Sequence, residues 1–350
     1  MNDVVMNDTR RRLPAEWERQ GGIILAWPHE LTDWAYMLDE VTACFENIVK
    51  AVAPRYKVII IAPDTKVPEE RLKGIEGYRN ILFVELPTND TWARDFGPIT
   101  VMQDDAPLIV DFKFNGWGLK FAADKDNLLT SRMVEKGVLR GERDNRLGFV
   151  LEGGSIESDG KGTLLTTSEC LLSPNRNGDL SRQQIEDRLK SILGVDYVLW
   201  LDHGALRGDD TDSHIDTLAR LAPDDTIVYV GCDDVEDEHY EELAAMKRQL
   251  MEFRTREGSW FNLVELPLPD AIYDEDGERL PATYANFLIL NEVILLPVYA
   301  QPKKDFLASQ ILKIAFPEHE VITVDCRALI KQHGSLHCVT MQVPDEILPI

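Results

Sequence analysis

The chain has no run of 18 apolar residues, no CxxC pair, no secretory-signal pattern and no phosphate-cradling glycine motif, and each absence removes a class of protein. Without a long apolar run there is no transmembrane helix to place. The opening stretch MNDVVMNDTRRRLPAEWER lacks the apolar core of a secretory signal, so a cytoplasmic protein is expected. Cys44, Cys170, Cys232, Cys326 and Cys338 are odd in number and widely spaced, which argues against a disulfide framework or a zinc knuckle and predicts free thiols. No GxxxxGK(S/T) occurs, and Gly153-Gly154 has neither the spacing nor the setting of GxGxxG, so a nucleotide cofactor is not expected. Positive charge is also scarce: 37 Lys and Arg stand against 61 Asp and Glu, for a formal net charge of −24. Nucleic acid and anionic membranes would be repelled, whereas a cationic small molecule would be attracted. The one basic cluster, Arg10-Arg11-Arg12, reads as a solvated N-terminal arm.

What is present is an alternation of short β-branched runs and longer stretches of helical period. Runs such as Gly22–Trp27, Lys57–Ala62, Thr226–Gly231 and Val293–Val298 predict strands, many apolar enough to be buried on both faces. Helices are predicted over Leu31–Ala53, Lys125–Leu139, Glu238–Arg256 and Lys303–Phe316. Another begins at a capping box made by Ser181 and Gln184 and ends at Gly194. Pairs of strands alternate with single helices, and no linker divides the chain, so one α/β domain over residues 1–350, made of about five strand–strand–helix–strand modules, is expected.

Four polar clusters interrupt this pattern. Gly208–Asp216 holds Asp210, Asp212, His214 and Asp216; His214 and Asp216, two apart on a segment read as extended, would point into one pocket. A histidine there can move protons while a neighbouring carboxylate holds a cation. Asn89–Pro98 interleaves Trp92, Arg94 and Asp95 with Gly-Pro punctuation after a predicted strand. Leu151–Ser155 places Glu152 at a strand end beside two glycines. His333–Gln342 sets Cys338 at the opening of an apolar strand, after a Gly334-Ser335 turn. A cysteine whose thiolate is favoured by nearby positive charge is a competent nucleophile. Cys170 is its one rival, since the other three cysteines read as packing residues.

Together these clusters resemble the agmatine deiminase family, a branch of the guanidino-group-modifying enzymes that includes the peptidylarginine deiminases. The resemblance runs in order from Leu13–Glu18 and Ala26-Trp27-Pro28, through Asn89–Pro98, Phe114–Gly118, Leu151–Ser155 and Pro174–Asn177, to Thr211–Asp216 and His337–Thr340. It implies a five-fold pseudo-symmetric α/β propeller (pentein) fold. It also implies hydrolysis of agmatine to N-carbamoylputrescine and ammonia, a step of putrescine formation, with no metal or organic cofactor. By similarity Cys338 is the nucleophile, His214 the general acid and base, Asp95 and Asp216 the carboxylates that grip the guanidinium, and Glu152 the support of His214. Trp92 and Trp117 would wall the alkyl chain, with Asp210 and Asp212 nearby in substrate binding. Three departures from the family pattern surround the site: Gln332-His333-Gly334 replaces a glycine run, Met341-Gln342 replaces Gln-Gln, and Ser213 replaces a glycine before the histidine. The substrates left open are agmatine, another alkylguanidine and peptidyl arginine. A metal-dependent hydrolase built on Asp210, Asp212, His214 and Asp216 is a competing class, a non-catalytic guanidine-binding protein is another, and a homo-oligomer is left open.

Overall fold

The computed structural model describes residues 10–348; the first nine, which begin the segment inspected for a signal, lie outside it. Among the described residues five separate sheets of three or four strands form. Each contains the same unit, an antiparallel pair followed by a helical crossover to a third strand parallel to the second. One unit pairs Ile99–Gln103 with Ala106–Lys113, then crosses to Glu142–Val150. The next pairs Ile156–Ser158 with Thr163–Thr167 and crosses by the helix Arg182–Leu193 to Tyr197–Leu201. The third runs Ala219–Ala222, Thr226–Gly231, helix Tyr240–Glu252 and Asn262–Pro267. The fourth runs Leu288–Leu290, Val293–Val298, helix Pro302–Ala315 and Glu320–Asp325.

The fifth unit is assembled from distant parts of the chain. Met341–Val343 pairs antiparallel with Gly22–Ala26, and the helix Leu38–Val52 leads on to Lys57–Ala62. Middle strands such as Gly22–Ala26 and Thr226–Gly231 are buried at every position, which is why they read as unbroken apolar runs. The helix Leu38–Val52 buries Val41, Phe45, Ile48 and Val52, which its 3.6-residue period puts on one face. The capping box at Ser181 and the left-handed Gly194 at φ 70° bound the helix Arg182–Leu193 as predicted.

Several expectations are corrected. Arg11-Arg12 is not a solvated arm but a short strand against Ile99–Gln103, with Arg11 ion-paired to Asp144 at 2.7 Å and Arg12 paired with Glu18. The predicted helix from Leu31 starts instead with a 3-10 turn at Ala35–Met37, and that from Lys125 splits into Asp126–Leu128 and Leu129–Glu135. His214 and Asp216 are not on an extended segment: the 3-10 turn Ile215–Thr217 follows His214 directly. Cys338 lies before its strand, in a turn closed by Thr340 N–H donating to His337 O at 3.0 Å, and the strand itself is Met341–Val343.

Candidate active site

Asp95 is held at the end of a one-turn helix, Ala93–Phe96, whose approach is fixed by Asp126. The Asp126 carboxylate accepts from the Asn89 and Asp90 backbone N–H groups at 2.7 and 3.0 Å. The same helix is tied to the nucleophile's turn, because Arg94 N–H donates to Cys338 O at 3.1 Å. Asp95 Oδ1 accepts from Gly154 N–H and Oδ2 from the Trp117 indole, both at 2.9 Å. Trp117 reaches it from a left-handed turn, with φ 69° at Gly116, 53° at Trp117 and 83° at Gly118. A bulky residue pays strain for that backbone, and here the strain serves to aim an indole donor at a carboxylate.

Gly154 is the point where the catalytic candidates converge. A Cβ there would stand 2.7 Å from His214 Nδ1, 2.8 Å from Asp95 Oδ1 and 3.1 Å from Asp216 Oδ2. His214 Nδ1 lies 3.6 Å from Asp95 Oδ1. Behind them Glu152, wholly buried, receives both contacts of Arg176 Nε, at 2.8 and 3.1 Å. Arg176 also pairs with Asp212 and donates to Thr211 O at 2.8 Å, so it fastens the His214 loop to the Glu152 strand end. Glu152, Cys170 and His214 each offer an atom within 4.8 Å of the others, so Glu152 and Cys170 both lie near the imidazole.

Cys338 Sγ sits 3.4 Å from Asn286 Oδ1 and 3.9 Å from Asp216 Oδ2. Burial, and after it the Asp216 and Asp95 carboxylates, pushes the thiol well above its ordinary value. Burial alone would lower His214, but Asp95 and then Cys170 and Glu152 override it and raise the imidazole well above its usual value. Burial raises Asp95 against the pull of His214. For Asp216 burial is overcome by the hydrogen bond from His337, which holds the carboxyl below its usual range. Burial and the two carboxylates thus favour the neutral thiol of Cys338, while Asp95 favours the protonated imidazole of His214. A cation placed among these carboxylates would remove the field that opposes the thiolate.

Cys338 opens into a cleft of about 390 Å³ lined by Asp33, Asp90, Trp92, Asp95, Trp117, Phe121, Asp210 and the loop Gln332-His333-Gly334. No lysine or arginine is among its lining residues. Burial raises Asp90 to about 7 and Asp210 to about 6. Gly334 leaves room for the Trp92 ring, which a Cβ would meet at 2.2 Å. His333, at φ 68° where a glycine would be at ease, bonds across the cleft mouth through Nδ1 to Gly208 O at 2.7 Å. Two roomier depressions, of about 1640 and 1350 Å³, carry Cys44 and Cys232, and neither is lined by a histidine.

Of the residues anticipated, Cys338, His214, Asp95, Asp216 and Glu152 gather at one place, and Trp92, Trp117 and Asp210 line the cleft. Asp212 does not line it; its oxygens are taken by Lys120, at 2.6 Å, and Arg176. Asp210, Asp212, His214 and Asp216 do not assemble as one ligand set among the described residues. The two clusters that do, Glu152–Cys170–His214 and Glu16–Glu157–His337, each have an arginine bound to a member carboxylate, Arg176 and Arg220, which disfavours a second cation. Sequence reasoning gave no role to Asn286, His337 and Arg176, all buried polar residues, and read Arg94 only as part of its cluster. Such residues carry a signal, because a buried charge needs a partner.

Residues 12–344 match the family model described as Porphyromonas-type peptidyl-arginine deiminase. The agmatine deiminase of Pseudomonas aeruginosa (strain UCBPP-PA14) is 35% identical over 356 residues, covering 95% of each chain. A crystal structure from Porphyromonas gingivalis, provisionally described as an arginine deiminase, is 52% identical with a TM-score of 0.93, covering 97% of this chain and 100% of that one. A cysteine-to-serine variant of C. jejuni agmatine deiminase with substrate bound is 39% identical with a TM-score of 0.90, covering 98% of both.

Proposed function

This chain belongs to the Porphyromonas-type peptidyl-arginine deiminase family, and from that premise we propose that it hydrolyses agmatine to N-carbamoylputrescine and ammonia through a covalent intermediate on Cys338. The observation that carries the reading is the cleft: a thiol at its base and four aspartates, Asp33, Asp90, Asp95 and Asp210, along its walls. Agmatine is a dication, with a guanidinium at one end and an ammonium at the other. Asp95 and Asp216 would grip the guanidinium forks, and Asp210 and Asp90 would receive the ammonium. Free arginine brings a carboxylate that this lining has no arginine or lysine to meet.

The steps follow from the atoms described. The bound cation offsets the Asp95 and Asp216 charges, the thiol releases its proton to solvent in the cleft, and sulfur attacks the guanidinium carbon. His214 gives its proton to the departing nitrogen, which leaves as ammonia, and an amidino thioether remains on Cys338. His214 then takes a proton from water, the hydroxyl adds to the same carbon, and the C–S bond breaks to release the ureido product. Glu152 steadies His214 from behind, and Trp92 and Trp117 enclose the alkyl chain.

The rest of the reading has its own support. One catalytic domain accords with the single hydrophobic core cluster among the described residues. Closure of the five repeated units into a five-fold propeller accords with the pairing of Met341–Val343 against Gly22–Ala26. No helix among the described residues is long and apolar enough to cross a membrane, and we take the compartment to be the cytoplasm.

The test is incubation with agmatine, free arginine and an arginyl peptide while ureido product is assayed. Agmatine should be turned over far faster than the other two. Turnover that needs an added divalent ion and survives Cys338→Ala would overturn the mechanism.

A further inference from the structure

His337 takes no part in the steps above, yet its ring is 1% exposed and wedged between two carboxylates. Nδ1 lies 2.7 Å from Asp216 Oδ2, and Nε2 lies 2.8 Å from Glu16 Oε2. Arg220 Nη2 stands 3.1 Å from His337 Nε2 and donates to the same Glu16 oxygen at 2.8 Å. An ionised carboxylate can only accept, so Nδ1 must donate to Asp216 whatever proton Nε2 carries. The main chain of the same turn is tied to the same loop. His337 N–H and Cys338 N–H both donate to Asn286 Oδ1, at 2.9 and 3.3 Å, and Asn286 Nδ2 donates to Asp216 O at 3.2 Å. The two oxygens of Asp216 are therefore unequal. Oδ2 is held, while Oδ1 is buried with no hydrogen-bond partner among the described residues.

We propose that His337 is a positioning residue for deimination: by holding Asp216 Oδ2 it fixes the rotation of that carboxylate and presents Oδ1 alone to the guanidinium. The proposal rests on the deimination reading above. Without the hold, the carboxylate is free to rotate. Oδ2 already lies 3.9 Å from Cys338 Sγ while His337 holds it; once freed, the carboxylate could turn either oxygen to the thiol and no longer keep Oδ1 for the substrate.

Two amide substitutions separate the contacts of the ring. The Asn amide nitrogen reaches the place of Nδ1, so His337→Asn keeps a donor to Asp216 and gives up Glu16. The Gln amide nitrogen reaches the place of Nε2, so His337→Gln does the reverse. His337→Gln should raise the KM for agmatine about 10-fold or more, the scale of one hydrogen bond to a charged group, with the smaller effect on kcat. His337→Asn should stay within about threefold of wild type. A role confined to the Glu16 side predicts the opposite order, and either that order or equal losses overturns the proposal. Glu16→Gln serves if a His337 variant fails to fold: it strips the charge from the other contact, should leave KM unchanged, and a KM rise there overturns the proposal as well. Wild-type protein run alongside keeps the two readings apart. No ureido product from wild type would refute deimination, whereas normal wild-type turnover with an unchanged KM in His337→Gln would refute only the positioning role.

Discussion

Replacing Gly154 by alanine adds one methyl group at the meeting point of His214, Asp95 and Asp216. Gly154 does not have a positive φ, so alanine can adopt its backbone and the effect is one of contact alone. The new carbon would sit 2.7 Å from His214 Nδ1 and 2.8 Å from Asp95 Oδ1, where ordinary contact begins at 3.4 Å. His214 and Asp95 must each retreat by more than half an ångström, or the strand end must move away from both. Displacements of that order at reacting groups cost about 100-fold, so kcat/KM for agmatine should fall by roughly that factor, about 2.7 kcal/mol of transition-state stabilisation. Overpacking one methyl costs about 1–3 kcal/mol of folding stability, so the protein should still fold. Gly153→Ala is the contrasting control. Its Cβ would lie 2.2 Å from the Arg94 carbonyl oxygen, a backbone atom that cannot swing aside, so that variant should lose stability first. Initial rates of ureido formation across agmatine concentrations, with thermal melts of both variants, test the contrast. A folded Gly154→Ala protein with kcat/KM within about threefold of wild type would refute the assigned convergence.

Further outcomes are expected at the cleft and behind it. A cation binds the ionised forms of Asp90, raised to about 7, and Asp210, raised to about 6, so the KM for agmatine should climb as pH falls from 7 toward 6. A flat KM across that interval counts against ammonium recognition there. The same raised values mean that the folded chain binds more protons than the unfolded chain between about 4 and 7, so these two groups stabilise less as pH rises. Asp90→Asn should flatten that dependence in melts while raising KM, and an unchanged melt profile would contradict the burial argument. Arg176→Met leaves Glu152 buried without its cation and should cost about 3–5 kcal/mol in denaturant unfolding, with Arg176→Lys only a partial rescue. Intact mass measured during turnover should show an amidino adduct that is absent in Cys338→Ala, and its persistence in that variant would move the nucleophile elsewhere.

The parts of this molecule that were legible in sequence are those where one physical demand dominates. Val293–Val298 and Thr226–Gly231 must be apolar throughout because both faces are covered, and Ser181, Gln184 and Gly194 mark helix ends by hydrogen bonding and by backbone freedom. Ile156–Ser158 and Ala219–Ala222 escaped notice because strands of three or four residues carry too little alternation. Ala219–Ala222 also hides Arg220, whose burial is made tolerable by Glu16 and Glu157 from far-off segments. Cys338, His214, Asp95 and Asp216, for which the roles of nucleophile, acid and guanidinium grip are proposed, could be singled out because they stand in polar clusters. Asn286 and His337 could not be, since their meaning depends on contacts across 70 and 121 residues.

The acid-lined cleft also has a consequence for the end of the catalytic cycle. The reaction turns a charged guanidinium into a neutral urea, so the product reaches the exit as a monocation. Under the mechanism proposed above, Asp95 and Asp216 are then left facing an uncharged group and regain their repulsion of the sulfur's anion. A pocket tuned to two positive charges thus discards its own product, and N-carbamoylputrescine should be a weak competitor of the agmatine that follows it.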